Sequence, residues 1–140
     1  MTREDKQLLL KDLSARLTYG VKVKVLIHDY DPTSEEILTL NGYNGNSQYT
    51  FWLYDNNILP KYGCIGRGFN ICEVKPYLRP MSSMTEEEKQ ELIKEFWGSH
   101  TISDSIEEVD WYLKKHFDIR GLIEKGLATE VTKDNNPYKD

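Results

Sequence analysis

The sequence predicts an α+β domain: an N-terminal helix, an antiparallel sheet or small barrel of about four strands, then two to three C-terminal helices. Three changes of pattern predict it. Leucines recur at helical spacing before Gly20, apolar residues alternate with polar ones from Val21 onward, and helical spacing returns after Thr85.

Thr2 to Tyr19 reads as an amphipathic helix, because Leu9, Leu13 and Leu17 recur at four-residue spacing and Leu10 widens the stripe. Thr2 caps its first turn with Asp5 three residues on, and Gly20 supplies a left-handed stop. Val21, Val23, Val25 and Ile27 then alternate with Lys22, Lys24 and His28, the pattern of a half-buried strand. Asp29-Tyr30-Asp31-Pro32 is turn chemistry. Glu36 to Asn41 reads as a second strand, Gly42-Tyr43-Asn44-Gly45-Asn46 as a hairpin turn, and Ser47 to Tyr54 as a third strand. After a turn at Asp55-Asn56-Asn57, the stretch from Leu59 to Gly68 reads as a glycine-rich loop. Phe69 to Lys75 fits a fourth strand, and Pro76 and Pro80 bracket an extended segment.

Thr85-Glu86-Glu87-Glu88 is a capping box with acids placed where the helix dipole favours them. Leu92, Ile93, Phe96 and Trp97 form the expected buried stripe, and Gly98-Ser99 ends the helix. Ser103 begins another helix, with Ile106, Val109, Leu113 and Phe117 in register. Gly121 and Gly126 punctuate a short helical turn, Leu127 to Val131 reads as a last edge strand, and Thr132 to Asp140 as a frayed tail. The expected organisation is one domain over 1–131 followed by the tail at 132–140.

At 140 residues the chain is long enough for one real core. No run approaches the ~18 apolar residues of a membrane span. The polar N-terminus lacks a signal-peptide segment, so the expected compartment is the cytoplasm. Cys64 and Cys72 form no CxxC pair, and a reducing compartment argues against a disulfide. The net charge of −5 disfavours non-specific duplex binding while leaving room for a local basic groove.

Such a groove is suggested between Asn41 and Pro80. That window holds Tyr43, Tyr49, Phe51, Trp52, Tyr54, Tyr62, Phe69 and Tyr77, half of the chain's aromatic residues. It also holds Lys61, Arg67, Lys75 and Arg79 against only Asp55 and Glu73. Aromatic faces stack planar ligands and fixed cations pair with anions, although an ordinary small sheet has the same composition. In Lys61-Tyr62-Gly63-Cys64-Ile65-Gly66-Arg67-Gly68, glycines let backbone amides converge on an anion. The spacing matches neither common phosphate fingerprint, and a plain surface loop explains the glycines. In Tyr49 to Tyr54, alternation puts Trp52 and Tyr54 opposite Phe51 and Leu53, so one aromatic pair faces away from the core unless protein covers it.

His28, His100 and His116 show no metal-ligand spacing, so no metal or cofactor is expected, and Cys64 has no predictable catalytic partner. The acidic runs Glu35-Glu36, Glu86 to Glu88 and Glu107-Glu108 with Asp110 read first as solvated faces, and secondly as a phosphate-mimicking surface for a basic partner.

Two segments carry a family resemblance: Val74-Lys75-Pro76-Tyr77-Leu78-Arg79-Pro80-Met81-Ser82-Ser83-Met84-Thr85-Glu86-Glu87-Glu88, and His116-Phe117-Asp118-Ile119-Arg120-Gly121-Leu122-Ile123-Glu124-Lys125-Gly126-Leu127-Ala128. Together, about a fifth of the chain, they resemble a family of small proteins of Bacteroidetes phages and prophages that has no assigned activity. The resemblance implies a phage or mobile-element origin and brings no catalytic residue. The expected function is therefore non-enzymatic binding, including a role against host defence. Trp52 and Tyr54 would stack a nucleotide-like or anionic ligand while Lys61, Arg67 and Arg79 pair with its phosphate. The alternative is an acidic protein–protein inhibitor of a host factor. A homo-oligomer fits either reading, and no membrane partner is expected.

Overall fold

Thr2 starts the first helix, α1 (Arg3–Ala15), with the capping box expected of it: its hydroxyl accepts from Asp5 N at 3.0 Å, and Asp5 Oδ2 accepts from Thr2 N at 3.2 Å. In the computed structural model, residues 1–26, 35–44, 50–55, 67–96 and 102–139 are described, with side chains over 1–25, 37–40, 71–96 and 105–139. The helix is shorter than its leucine period suggests. At Arg16 the backbone tightens, Arg16 N–H donating to Leu13 O and Tyr19 N–H to Arg16 O, and Gly20 turns the chain at φ 67°. Leu9 and Leu13 are fully buried.

The sheet contains β1 (Lys22–Leu26), β2 (Glu35–Asn44), β3 (Thr50–Asp55), β4 (Arg67–Asn70), β5 (Val74–Leu78) and β6 (Thr129–Glu130). Their order is β4-β3-β2-β1-β5-β6; the first four pairings are antiparallel and β5–β6 is parallel. The fold is thus α+β as expected, with an open mixed sheet of more strands than the alternation suggests. The run Phe69 to Lys75 is not one strand: a 3-10 turn, Ile71–Glu73, separates β4 from β5. Ile71 and Val74 are both buried, and that three-residue spacing belongs to a tight turn, since a strand would send them to opposite faces.

This turn makes the sheet curl. β4 and β5 lie four places apart in the strand order, which in a flat sheet is about 19 Å. The chain from Asn70 to Val74 reaches at most about 14 Å even when extended. The sheet must therefore bend to bring β4 and β5 together, and α1 packs against the 3-10 turn between them. β2 accommodates the bend with a register shift between Leu40 and Gly42. Pro76 is tolerated inside β5 because β6 pairs only with Tyr77 and Leu78, leaving one side of Pro76 without a ladder partner.

Thr85 caps α2 (Glu86–Glu95) with the expected box, and α3 (Ile102–Lys114) follows. A Schellman motif ends α3: Phe117 N–H donates to Tyr112 O and His116 N–H to Leu113 O, with His116 at φ 65° where glycine is usual. Phe117 lies beyond the helix, bridged in parallel to Arg79. Leu122 to Gly126 forms the expected turn, closed by the same hydrogen-bond pattern at Gly126 (φ 74°).

Two apolar cores result. The larger joins α1, the valines of β1, Leu38, Leu40, Ile71, Leu78 and Leu122; the smaller is Leu92, Phe96, Trp111 and Phe117. Three residues expected inside are outside: Ile93, Ile106 and Val109 are exposed, while Trp111 takes the buried place on α3. Helical period identifies a stripe but not what lies against it. The tail is also not frayed over its described residues. Tyr138 donates to Tyr77 O at 2.7 Å, accepts from Lys22 N at 2.9 Å and stacks on His116 at 3.9 Å between centroids. Among the described residues no helix is long and apolar enough to cross a membrane.

Candidate functional site: the outer face of the sheet

Strand register sorts the sheet into faces. Val23, Val25, Leu38 and Leu40 are buried and mark the inner face. Directly paired residues share a face, and successive residues alternate. Leu53, paired with Leu40, therefore takes an inner-face position, and Trp52 and Tyr54 take outer-face positions. Lys22, Thr39 and Tyr54 form one continuous row across β1, β2 and β3. The next row is Lys75, Lys24 and Ile37, across β5, β1 and β2. Trp52 lies in a third row between Gly42 and Gly68.

The face carries Lys22, Lys24 and Lys75, and Glu35, paired with Leu26, takes a position on it as well. Ile37 and Lys75 are exposed and Lys24 is half-buried. Lys22 Nζ donates to Thr39 Oγ1 at 2.6 Å, and partial burial lowers the Lys22 pKa. Lys24 and Lys75 are direct cross-strand partners, an arrangement in which like charges repel. The alternation of Lys22 and Lys24 with the valines is visible in sequence. What sequence cannot supply is the register that sets Lys22 in line with Tyr54 and Lys24 in line with Lys75.

The five site residues expected from sequence do not assemble as one set. Trp52 and Tyr54 take register positions of the outer face. Arg67 pairs with Leu53 and so takes a register position of the opposite face. Lys61 lies outside the described residues, as do Gly63, Cys64 and Gly66 of the glycine-rich loop, His28, His100, Trp97, Gly98-Ser99 and the turns at Asp29–Pro32 and Gly45-Asn46. Arg79 is held elsewhere. Its Nη1 and Nη2 donate to Glu88 at 2.9 and 2.6 Å, Nη2 also reaches Ser83 O at 3.3 Å, and the guanidinium sits 4.2 Å from the Phe117 ring centroid. These bonds from Arg79, with backbone donation from Thr85, hold the Glu88 carboxyl down at about 2. Arg79 thereby ties the end of β5 to the first turn of α2.

A second polar cluster went unmarked in the sequence. Asp12 on α1 and Arg16, the residue that caps its end, are fully buried, with Arg16 Nε donating to Asp12 Oδ2 at 2.7 Å and Nη2 to Phe117 O at 2.6 Å. Arg120 Nη1 adds a 3.3 Å bond to Asp12 Oδ1. The available signal was their spacing, since positions 9, 12, 13 and 16 form one helical face. The cluster joins α1 to the residues after α3, so its chemistry is that of a structural tie. Close by, burial, followed by the charges of Arg16, Arg79 and Lys22, lowers the His116 pKa to about 4. Among the described residues no three His, Cys, Asp or Glu side chains are grouped to hold a metal ion. Comparison of the chain with protein-family models, curated proteins and solved structures finds no match.

Proposed function

We propose that the outer sheet face binds an anionic ligand carrying a planar base, a nucleotide or a short single strand, and that the chain is a non-enzymatic binding protein of phage origin acting inside the bacterial host. A role against host defence fits such an activity. The observation that supports this reading is the placement of Lys75, Lys24 and Lys22 in rows adjoining the positions of Tyr54 and Trp52. Phosphate would lie over Lys24 and Lys75, which are direct cross-strand neighbours. The base would stack at Tyr54 or Trp52, two residues apart on β3 and about 7 Å from each other along the strand. Glycine on both sides of Trp52 leaves its row without neighbouring side chains, which suits a flat ligand.

Fluorescence anisotropy with a labelled short oligothymidylate, and competition by ATP, tests the reading. Trp52→Ala should weaken binding by about 1–3 kcal/mol, the usual worth of one base–aromatic stack. Lys24→Ala with Lys75→Ala should lower the slope of log affinity against log salt by about 1.4, since each single-strand phosphate contact contributes about 0.7. Circular dichroism checks that each variant stays folded. No binding of either probe, or binding indifferent to both changes, overturns the assignment. If Trp52→Ala unfolds, Trp52 is a core residue and the lysine variants decide.

A further inference from the structure

Helix α3 has a second surface, separate from the sheet. Ile106 and Val109 are three residues apart on one helical face and are 59% and 44% exposed. With Ser105 and Asp110 they line a shallow, open groove of about 400 Å³ along the helix surface. The same apolar row continues to Leu113, which is buried. Helix α2 does not cover the strip because it meets α3 through Trp111, whose indole N–H donates to Glu91 Oε1 at 3.1 Å. Trp111 is about 200° around the helix from Val109.

Charge decides what fits. From Ser105 to Asp110 the helix carries Glu107, Glu108 and Asp110 and no cation. Glu107 and Asp110 are exposed, and Asp110 lines the groove itself. A second copy seated by two-fold pairing of Ile106 and Val109 would bring these acids against their own counterparts, which the repulsion opposes. We propose that the Ile106–Val109 strip is a docking site for a basic amphipathic helix of a partner protein. Its apolar side chains enter the groove, and its lysines or arginines meet Glu107 and Asp110. This recognition is the helix-in-groove mode with complementary charge.

The probe is a synthetic amphipathic peptide with leucines at helical spacing and lysines on its other faces, titrated calorimetrically into the full chain. The control replaces every lysine by glutamate. The lysine peptide should bind, the glutamate peptide should not, and Asp110→Asn should weaken binding several-fold. Ile106→Ser with Val109→Ser leaves the charge unchanged and should weaken it at least tenfold. Equal affinity for the double variant means that the peptide senses net charge alone, and overturns the proposal. Binding of the glutamate peptide overturns it as well. So does a dimer in sedimentation equilibrium that the double variant dissociates, because the occupant is then a second copy. The serine changes lie away from the sheet, so oligothymidylate binding is a separate readout.

Discussion

His116 adopts a backbone conformation (φ 65°) that glycine or asparagine enters more easily, and its imidazole lies flat on Tyr138 with an 8° angle between ring planes. The cationic form is disfavoured there by burial and then by Arg16, Arg79 and Lys22, so the folded-state pKa falls from 6.5 to about 4. Between these values the unfolded chain binds more protons than the folded one, so this contribution is complete above pH 6.5 and is lost as the pH falls toward 4. Urea midpoints measured across this range should decline on acidification, and His116→Asn, which keeps the left-handed conformation accessible, should remove that share of the slope. Parallel curves for the two proteins would show that His116 titrates normally. Glu88 acts in a lower window: its contribution is present above its ordinary pKa of 4.5 and disappears toward about 2.

Local chemistry made several elements legible before the structure. Both capping boxes, at Thr2 and at Thr85, join residues three apart, and both form. The valine alternation of β1 and the closing glycines at Gly20 and Gly126 are equally local. Facts that depend on a distant partner were not legible. Arg79 reads as a free cation in an aromatic window until Glu88 and Phe117 are seen beside it. Ile106 reads as core until α2 is seen to take Trp111 instead. Trp52 and Arg67 look like one site until β3 and β4 pair and alternate them. These differences make Arg79→Met informative, since methionine keeps apolar length over Phe117 while removing the charge-assisted bonds to Glu88. Such bonds are worth roughly 1.5–3 kcal/mol, so unfolding should show a loss of about that size. Oligothymidylate affinity should remain unchanged. Lost affinity with unchanged stability would return Arg79 to the binding site.

The whole molecule is closed by contacts far apart in sequence. The short link between β4 and β5 curls the sheet, α1 packs against that link, and Arg16 carries α1 across to Phe117. The last described residues complete the tie. Thr132 to Lys139 is almost entirely polar, and composition alone makes it a tail, but Tyr138 sits at the end of the β1–β5 ladder, just past the Val23–Pro76 pair. There it joins Lys22 N–H to Tyr77 carbonyl through one hydroxyl and packs on the main apolar core. Burial raises the phenol's pKa, so it stays a neutral donor and acceptor throughout the working pH range. Truncation after Val131 would remove the ring and both bonds together. Deleting a fully buried aromatic typically costs about 3–5 kcal/mol; Tyr138 is half-buried, so the loss should fall below that range and still be a large share of a small domain's stability. The shortened chain should therefore melt many degrees lower, and native-state hydrogen exchange should show lost protection first at Lys22 N–H, whose acceptor has gone. Tyr138→Phe separates the two parts of the effect: it keeps the stack on His116 and removes the hydroxyl, so it should fall between the full chain and the truncation. A truncated chain with unchanged melting temperature and unchanged exchange at Lys22 would mean that the tail rests on the fold without holding it.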